Sequence, residues 1–275
     1  MTEVALGPRI SVVLPSFNQV RYLETAILSV IRQEYEAIEL IVVDGGSTDG
    51  SAEVIDRYSS RITSWRSHPD GGQAAAIAEG MVAATGDILS YLNSDDVYLP
   101  GALARVAWVL GPAASSPAWA IGGSIRIDER GRRTRFDRPM RVTQRSMLVW
   151  GSGFSQPAAF WNRALLERVG GVDERFRFCL DYDMFLRFAG VVRPTMLGAY
   201  VAAFRDHPAS KSATLAQVHA DELGQVRRDY TGSVDGRSGW VDRAAWLWYW
   251  ACWKALRLRA VTDGPPCVPA GWLGE

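Results

Sequence analysis

The chain has 275 residues, 48% hydrophobic and 22% charged, a core-forming composition that excludes both disorder and a miniprotein scaffold. Its 30 basic and 30 acidic side chains cancel to a formal net charge of zero. That excludes whole-molecule attraction to nucleic acid and leaves any electrostatic partner to a local patch. Cys179, Cys252 and Cys267 are scattered without metal-type spacing, which suits a reducing compartment. The opening MTEVALGPRI lacks a secretory pattern, so a cytoplasmic location is expected. The longest apolar run, Ala244 to Trp253, has ten residues, short of the ~18 needed to span a bilayer.

Short β-rich runs alternate with helix-length segments over the first hundred residues, the pattern of a parallel sheet covered by helices. Arg9 to Leu14 reads as a buried strand. Leu23, Ala26, Ile27, Val30 and Ile31 then recur at three- and four-residue spacing, which predicts an amphipathic helix over Val20 to Glu34. A second strand is expected at Ile38 to Val43, and GGSTDG then turns into a helix running to about Tyr58, with Ser47, Thr48 or Asp49 as cap. A weaker strand at Ile62 to Arg66, a helix from Gly72 to Ala84 and a strand at Asp87 to Leu92 extend the sheet. Beyond Pro100 the pattern predicts a helix over Ala102 to Leu110, then antiparallel strands at Trp119 to Ile127 and Thr134 to Phe136. Helices follow at Asn162 to Val169, at Tyr182 to Phe188 and from Leu215 onward, and DGPPCVPAGWLGE reads as a flexible tail.

Ligands of open parallel sheets sit beyond the carboxyl ends of the strands. Here those ends are polar: Pro15 to Asn18, Asp44 to Ser51, His68 to Gln73, and Asn93 to Asp96. No GxGxxG follows the first strand and no GK[ST] loop is present, so a nicotinamide enzyme and a phosphate-loop ATPase both lose their main support. The adjacent carboxylates Asp95 and Asp96 repel one another and need a cation or hydrogen-bond donors nearby. A divalent ion bound to a diphosphate meets that need; a helix-capping role for Asp95 is the simpler alternative.

The series PSFN, VVDGGSTDGS, DGGQAAAIAEGMVAATGDILSYLNSDD, QPAAFW and GGVDERFRFCLDYDMFLRF resembles the family-2 inverting glycosyltransferases of the GT-A fold over about residues 9 to 210. The resemblance implies an α/β, Rossmann-like, mostly parallel sheet flanked by helices, with antiparallel edge strands. It implies a nucleoside-diphosphate sugar donor, usually a uridine one, a Mg2+ or Mn2+ cofactor, and inversion at the anomeric carbon. By the same resemblance Asp44 reads the base, Pro15, Ser16, Phe17 and Asn18 line the nucleoside pocket, and Gly72 and Gln73 face the donor. In the DxD-like NSDD, Asp95 meets the ribose or metal and Asp96 binds the metal, while Asn93 replaces an aspartate. His207 in RDHPASKS is expected at the metal or diphosphate, and Gln156 and Trp161 on the acceptor side. Asp181 is expected as the base that takes the acceptor proton. It matches the second acid of the family's ED pair, Leu180 replaces the first, and Asp183 is the second candidate.

Two features lie outside these motifs. Eight arginines fall between Arg126 and Arg145, offering an anion site or a solvated hairpin. Residues 240–260 carry five tryptophans with basic residues toward their end, a composition that suits an interfacial helix and peripheral membrane contact, with packing on the catalytic domain or on a second subunit of a homo-oligomer as the alternative. The expected layout is a GT-A catalytic domain over 1–214, a C-terminal helical extension over 215–262 and a tail over 263–275. The resemblance implies a hydroxyl of a glycan or lipid-linked saccharide as the acceptor. The competing functions are a donor-binding subunit without transfer activity and a sugar-nucleotide nucleotidyltransferase, which would want a glycine-rich basic loop where PSFNQVR stands.

Overall fold

The computed structural model describes residues 7–113, 115–232 and 271–273. Nine strands form one sheet in the order β3-β2-β1-β4-β8-β6-β9-β5, with β7 paired to β6. The parallel half comprises β1 (Ile10–Ser16), β2 (Ile38–Asp44), β3 (Ser64–Ser67) and β4 (Ile88–Tyr91). The chain steps outward from β1 to β2 and β3, then returns to place β4 on the other side of β1. The crevice between β1 and β4 is therefore a topological switch point, where open α/β sheets bind ligands.

Helices α1 (Val20–Ile31), α2 (Ser51–Arg57), α3 (Gln73–Ala83) and α4 (Ala102–Leu110) link these strands and β5 (Val97–Tyr98). Leu23, Ala26, Ile27 and Val30 of α1 are buried in one cluster with Ile10, Val12 and Leu14 of β1, while Val13 faces the opposite layer with Ile77 of α3. Each such fully buried aliphatic side chain is worth roughly 1.5–3 kcal/mol, so the alternation in β1 fixes which helix covers which face. Helix α3 contains Gly80 because a Cβ there would sit 2.4 Å from Val13 Cγ1. The missing side chain lets the helix lie close on β1.

The second half of the sheet is mixed. Strand β6 (Trp119–Ile127) runs antiparallel to β7 (Arg133–Asp137) and β8 (Ala159–Asn162) and parallel to β9 (Thr195–Arg205), which pairs antiparallel with β5. Helices α5 (Gln144–Trp150), α6 (Arg163–Val169) and α7 (Leu180–Val191) cover it, followed by α8 (Lys211–Thr214) and α9 (Ala216–Thr231). The expected α/β architecture with antiparallel additions is therefore what the chain adopts.

Strands β5 and β8 and helix α5 are not expected from sequence, and three further differences bear on the site. Strand β9, with 11 residues, is absent from the predicted elements, because Gly198 and the alanines around Tyr200 break the apolar alternation that marks a strand. Its pairing with β6 is irregular at Gly122 and Gly123, where a Cβ would meet Val201 or Tyr200 at 2.6–2.7 Å. Helix α9, assigned from sequence to an extension, places Val226 in the same core as α7. Within the expected tail, Leu273 is buried against Val97, Ile125 and Ala203, and the Trp272 indole N–H donates to the Tyr98 carbonyl at 2.6 Å. The tryptophan-rich residues 240–260, with the membrane and subunit expectations attached to them, lie outside the described residues. Among the described residues no helix is long and apolar enough to cross a membrane.

Candidate active site

The carboxyl ends of β1, β2 and β3 stand in register, with Ser16 opposite Asp44 and Asp44 opposite Ser67. Asp44 is fully buried. Its Oδ1 accepts the Ser47 hydroxyl at 2.6 Å, and its Oδ2 accepts the N–H groups of Ser47 and Gly46 at 2.8 and 3.2 Å and the Ser67 hydroxyl at 2.7 Å. Burial acts to raise its pKa, and the hydrogen bonds from Ser47 and Ser67 more than reverse this, so it lies below the ordinary carboxylate value. The carboxylate expected to face a base is thus spent on the turn after β2. It shapes the floor of the crevice rather than its surface.

What does face outward is Phe17, 62% exposed. Pro15 and Ser16 are buried beneath it. Gly45 leaves room for the ring: a Cβ there would touch Phe17 Cδ2 at 3.2 Å and the Asp70 carboxylate at 3.4 Å. Asn18 holds the left-handed conformation, φ 51°, which asparagine tolerates better than most residues. Its Oδ1 accepts the Thr48 N–H at 2.9 Å and its own N–H donates to Ser47 Oγ at 2.8 Å. These bonds tie the loops after β1 and β2 together. Asp49 completes the link by accepting the N–H groups of Val20, at the start of α1, and of Ser51.

The loop after β4 holds the two acids in different environments. Asp96 is 1% exposed, with Oδ1 accepting the Arg205 N–H at 2.9 Å and Oδ2 facing the Asn93 amide at 3.4 Å. Burial, and then the adjacent Asp95, hold the Asp96 carboxyl well above the ordinary value. Asp95 points the other way, its Oδ2 2.9 Å from His207 Nε2. The direct metal role expected for Asp96 conflicts with these partners, whereas Asp95 is in direct contact with His207 at the loop that follows β9.

Arg205, not singled out from sequence, holds this loop. It is 2% exposed and donates through Nε to the Asp95 carbonyl at 2.9 Å, and through its terminal nitrogens to the carbonyls of Asp128 and Leu273 at 3.2 and 3.0 Å. Its guanidinium lies 4.8 Å from the centre of the Tyr22 ring, and that ring also meets His207 at 4.9 Å between centroids. A buried arginine at the end of a missed strand had no local signal. Only the pairing of β9 beside the NSDD loop reveals it.

A polar chain crosses from this loop toward α7. Asn93 accepts from Gln73 Nε2 at 2.6 Å and donates to Gln156 Oε1 at 3.2 Å; Gln156 donates in turn to the Tyr91 carbonyl at 2.8 Å. Lys211, at the start of α8, donates to Gln73 Oε1 and, at 2.7 Å, to the Arg177 carbonyl. Gly72, whose φ of 101° suits glycine, precedes α3 and gives its N–H to Asp70 at 2.7 Å. Gln156 is therefore a prop of the β4 loop.

Asp181 sits in the first turn of α7, half-buried. Burial pushes its pKa up to about 6, with the Tyr182 N–H and the Lys211 ammonium working against the rise. Its carboxylate accepts the Tyr182 N–H at 2.7 Å and forms no salt bridge among the described residues. Asp183, the second candidate, is buried and paired with Arg187 at 2.7 Å, which leaves Asp181 as the uncommitted acid. Trp161, expected beside the acceptor, is fully buried, packed on Tyr91, Phe185 and Phe188. The antiparallel β8 turns that side chain inward, so it belongs to the core. Within the arginine-rich hairpin, Arg126 pairs with Asp137 and Asp206, Arg135 with Asp137 and Arg132 with Asp128, which partners three of its eight arginines.

Residues 11–170 match the family described as glycosyl transferase family 2. The chain belongs to that family. An uncharacterized glycosyltransferase of Mycobacterium tuberculosis is 29% identical over 229 residues, which cover 82% of this chain and 86% of that protein. The fold resembles that of Staphylococcus aureus TarS solved in complex with UDP-GlcNAc, with TM-score 0.65 and 17% identity over 80% of this chain and 64% of the other. It also resembles the mannosyltransferase PcManGT from Pyrobaculum calidifontis in complex with GDP-Man and Mn2+, with TM-score 0.59 and 20% identity over 82% of this chain and 64% of the other. The family-2 match ends at residue 170, before Asp181, Arg205 and His207. The residues of the candidate site thus come both from the matched region and from the chain that follows it.

Proposed function

We propose that this glycosyltransferase moves a sugar from a nucleoside-diphosphate donor, a UDP-sugar, to a hydroxyl of a glycan or lipid-linked saccharide with inversion at the anomeric carbon. The observation that carries the reading is Asp181: a half-buried carboxylate without an ion-pair partner among the described residues, its pKa raised to about 6. Such a group is largely ionised at neutral pH yet basic enough to accept a proton as the acceptor oxygen attacks. Lys211, whose charge acts on Asp181, donates to Gln73 on the donor side. The exposed Phe17 ring offers a stacking face for the nucleobase, and the loops joined by Asn18 hold it in place.

Asp95 and His207 would hold a divalent ion. No group of three or more His, Cys, Asp and Glu side chains placed to hold a metal occurs among the described residues. A facing carboxylate and imidazole suit Mn2+ better than Mg2+, with donor phosphates and water completing the shell, since Mg2+ favours oxygen ligands throughout. Bound there, the ion supplies positive charge for the departing diphosphate. Asp96 and Arg205 keep the loop in position. The cytoplasmic location and the membrane-side acceptor remain part of this proposal.

The test is Asp181→Asn. Nucleotide affinity should stay within about threefold while transfer falls by roughly 10²–10⁴, the span of general base catalysis. Retained turnover would remove Asp181 from the role.

A further inference from the structure

Helix α9 reaches back to the chain entering α7. Its Glu222 places Oε1 2.9 Å from the Arg177 N–H, and Oε2 2.9 and 2.8 Å from the N–H groups of Phe178 and Cys179. One turn earlier, His219 stacks on the Phe178 ring at 4.4 Å and 25°, and one turn later Val226 is buried in the core. Residues 219, 222, 223 and 226 share one face of a helix, so α9 grips this segment as a unit.

The grip matters because the segment is anchored by the buried Phe176 ring while its main chain makes few bonds of its own. Among the described residues, the main chain of 172–178 contributes one bond of its own, from the Phe176 N–H to the Asp173 carbonyl at 3.4 Å. Asp173 also accepts the Arg175 N–H, and Lys211 holds the Arg177 carbonyl from the other side. Cys179 is the N-cap of α7 and Asp181 lies two residues on. A carboxylate accepting three amides forms charge-assisted bonds and also complements the positive end of the helix.

We infer that Glu222 is a positioning residue for Asp181, setting through the 177–179 amides the place from which that carboxylate meets the acceptor hydroxyl. The inference rests on the reading of Asp181 as the base. Misplacing a reacting group by about 1 Å can cost 10²-fold, so the effect belongs in turnover rather than in donor binding. Three groups near Asp181 share its electrostatics: Lys211 of α8, Tyr91 of β4 and Cys179. Glu222 acts on two of them, its charge raising the pKa of Cys179 and of Lys211; Glu222→Ala and Glu222→Gln both remove that charge, so the difference between the two variants reads the amide acceptor alone.

The experiment compares full-length wild type, Glu222→Ala, Glu222→Gln and Asp181→Asn. Its probes are hydrogen exchange over 176–182, UDP affinity with Mn2+, and the pH profile of nucleoside-diphosphate release from a panel of UDP-, GDP- and dTDP-sugars. Glu222→Ala should speed exchange at 177–179 at least tenfold and lower kcat about 10- to 100-fold, with UDP affinity unchanged. Its pH midpoint should fall as Asp181 gains water, and Glu222→Gln, which keeps an acceptor oxygen, should restore most of the rate. Unchanged exchange in Glu222→Ala would overturn the clamp whatever Asp181 does. Faster exchange with unchanged kcat would overturn its link to catalysis, and full activity in Asp181→Asn would overturn the base assignment alone.

Discussion

Asp95 and His207 lie 112 positions apart in sequence, and the Oδ2 of one is 2.9 Å from the Nε2 of the other. One follows β4 and the other follows β9, so the pair exists only because those strands end on the same side of the sheet. With a divalent ion between them and a donor diphosphate, Asp95→Ala or His207→Ala should each abolish the metal dependence of nucleotide binding. Calorimetry with and without chelator measures this. Asp96→Ala should instead lower the melting temperature, because it removes the Oδ1 that accepts the Arg205 N–H.

The raised pKa of Asp181 sets the direction of the pH response. The base is active when ionised, so turnover should rise tenfold per pH unit below about 6 and level off above it. For stability the sign is opposite. A buried acid whose folded pKa is above its unfolded value favours the folded state while protonated, and that advantage is lost as pH rises from about 4 to about 6. Asp181→Asn should therefore be more stable than wild type at pH 7.5, by up to about 3 kcal/mol. Thermal melts at pH 5 and 7.5 check this, since the difference should shrink at the lower pH.

Arg205 supplies buried positive charge beside two acids, with Asp95, Asp128 and Leu273 carbonyls as its acceptors. Arg205→Met leaves those carbonyls and Asp96 without it. The expected cost is about 3 kcal/mol in stability, in the range for removing one partner of a buried charge network. UDP affinity in the presence of Mn2+ should fall as well, which titration of the folded variant at low temperature can measure.

The parallel half of the fold was legible because β1, β2 and β4 are apolar runs closed by polar turns, and because α1 keeps its three- and four-residue spacing. Asp95, Asp181 and His207 were legible as members of motifs. The orientation of their side chains was not. Whether Asp95 or Asp96 faces the crevice depends on the Arg205 N–H, supplied by β9, and that strand is hidden by glycine and alanine. Trp161 reads alike as a sugar platform and as core until β8 pairs with both β4 and β6 and turns it inward. Glu222 carries no motif, and its three amide partners lie more than forty positions away.

Trp161 separates those two roles directly. As a fully buried ring, Trp161→Ala should destabilise the protein by about 3–5 kcal/mol. Trp161→Phe, which keeps much of the aromatic packing, should leave acceptor KM unchanged in a transfer assay. Chemical denaturation gives the first value.

The central claim is a nucleoside-diphosphate site at the crevice between β1 and β4, and calorimetric titration of the protein with UDP, GDP, dTDP and CDP, each with Mn2+ and then with chelator, tests it most directly. The account predicts tight binding of one nucleotide, UDP foremost, that needs the metal and disappears in Asp95→Ala. Absence of binding to all four, in a protein that melts cooperatively, would contradict it.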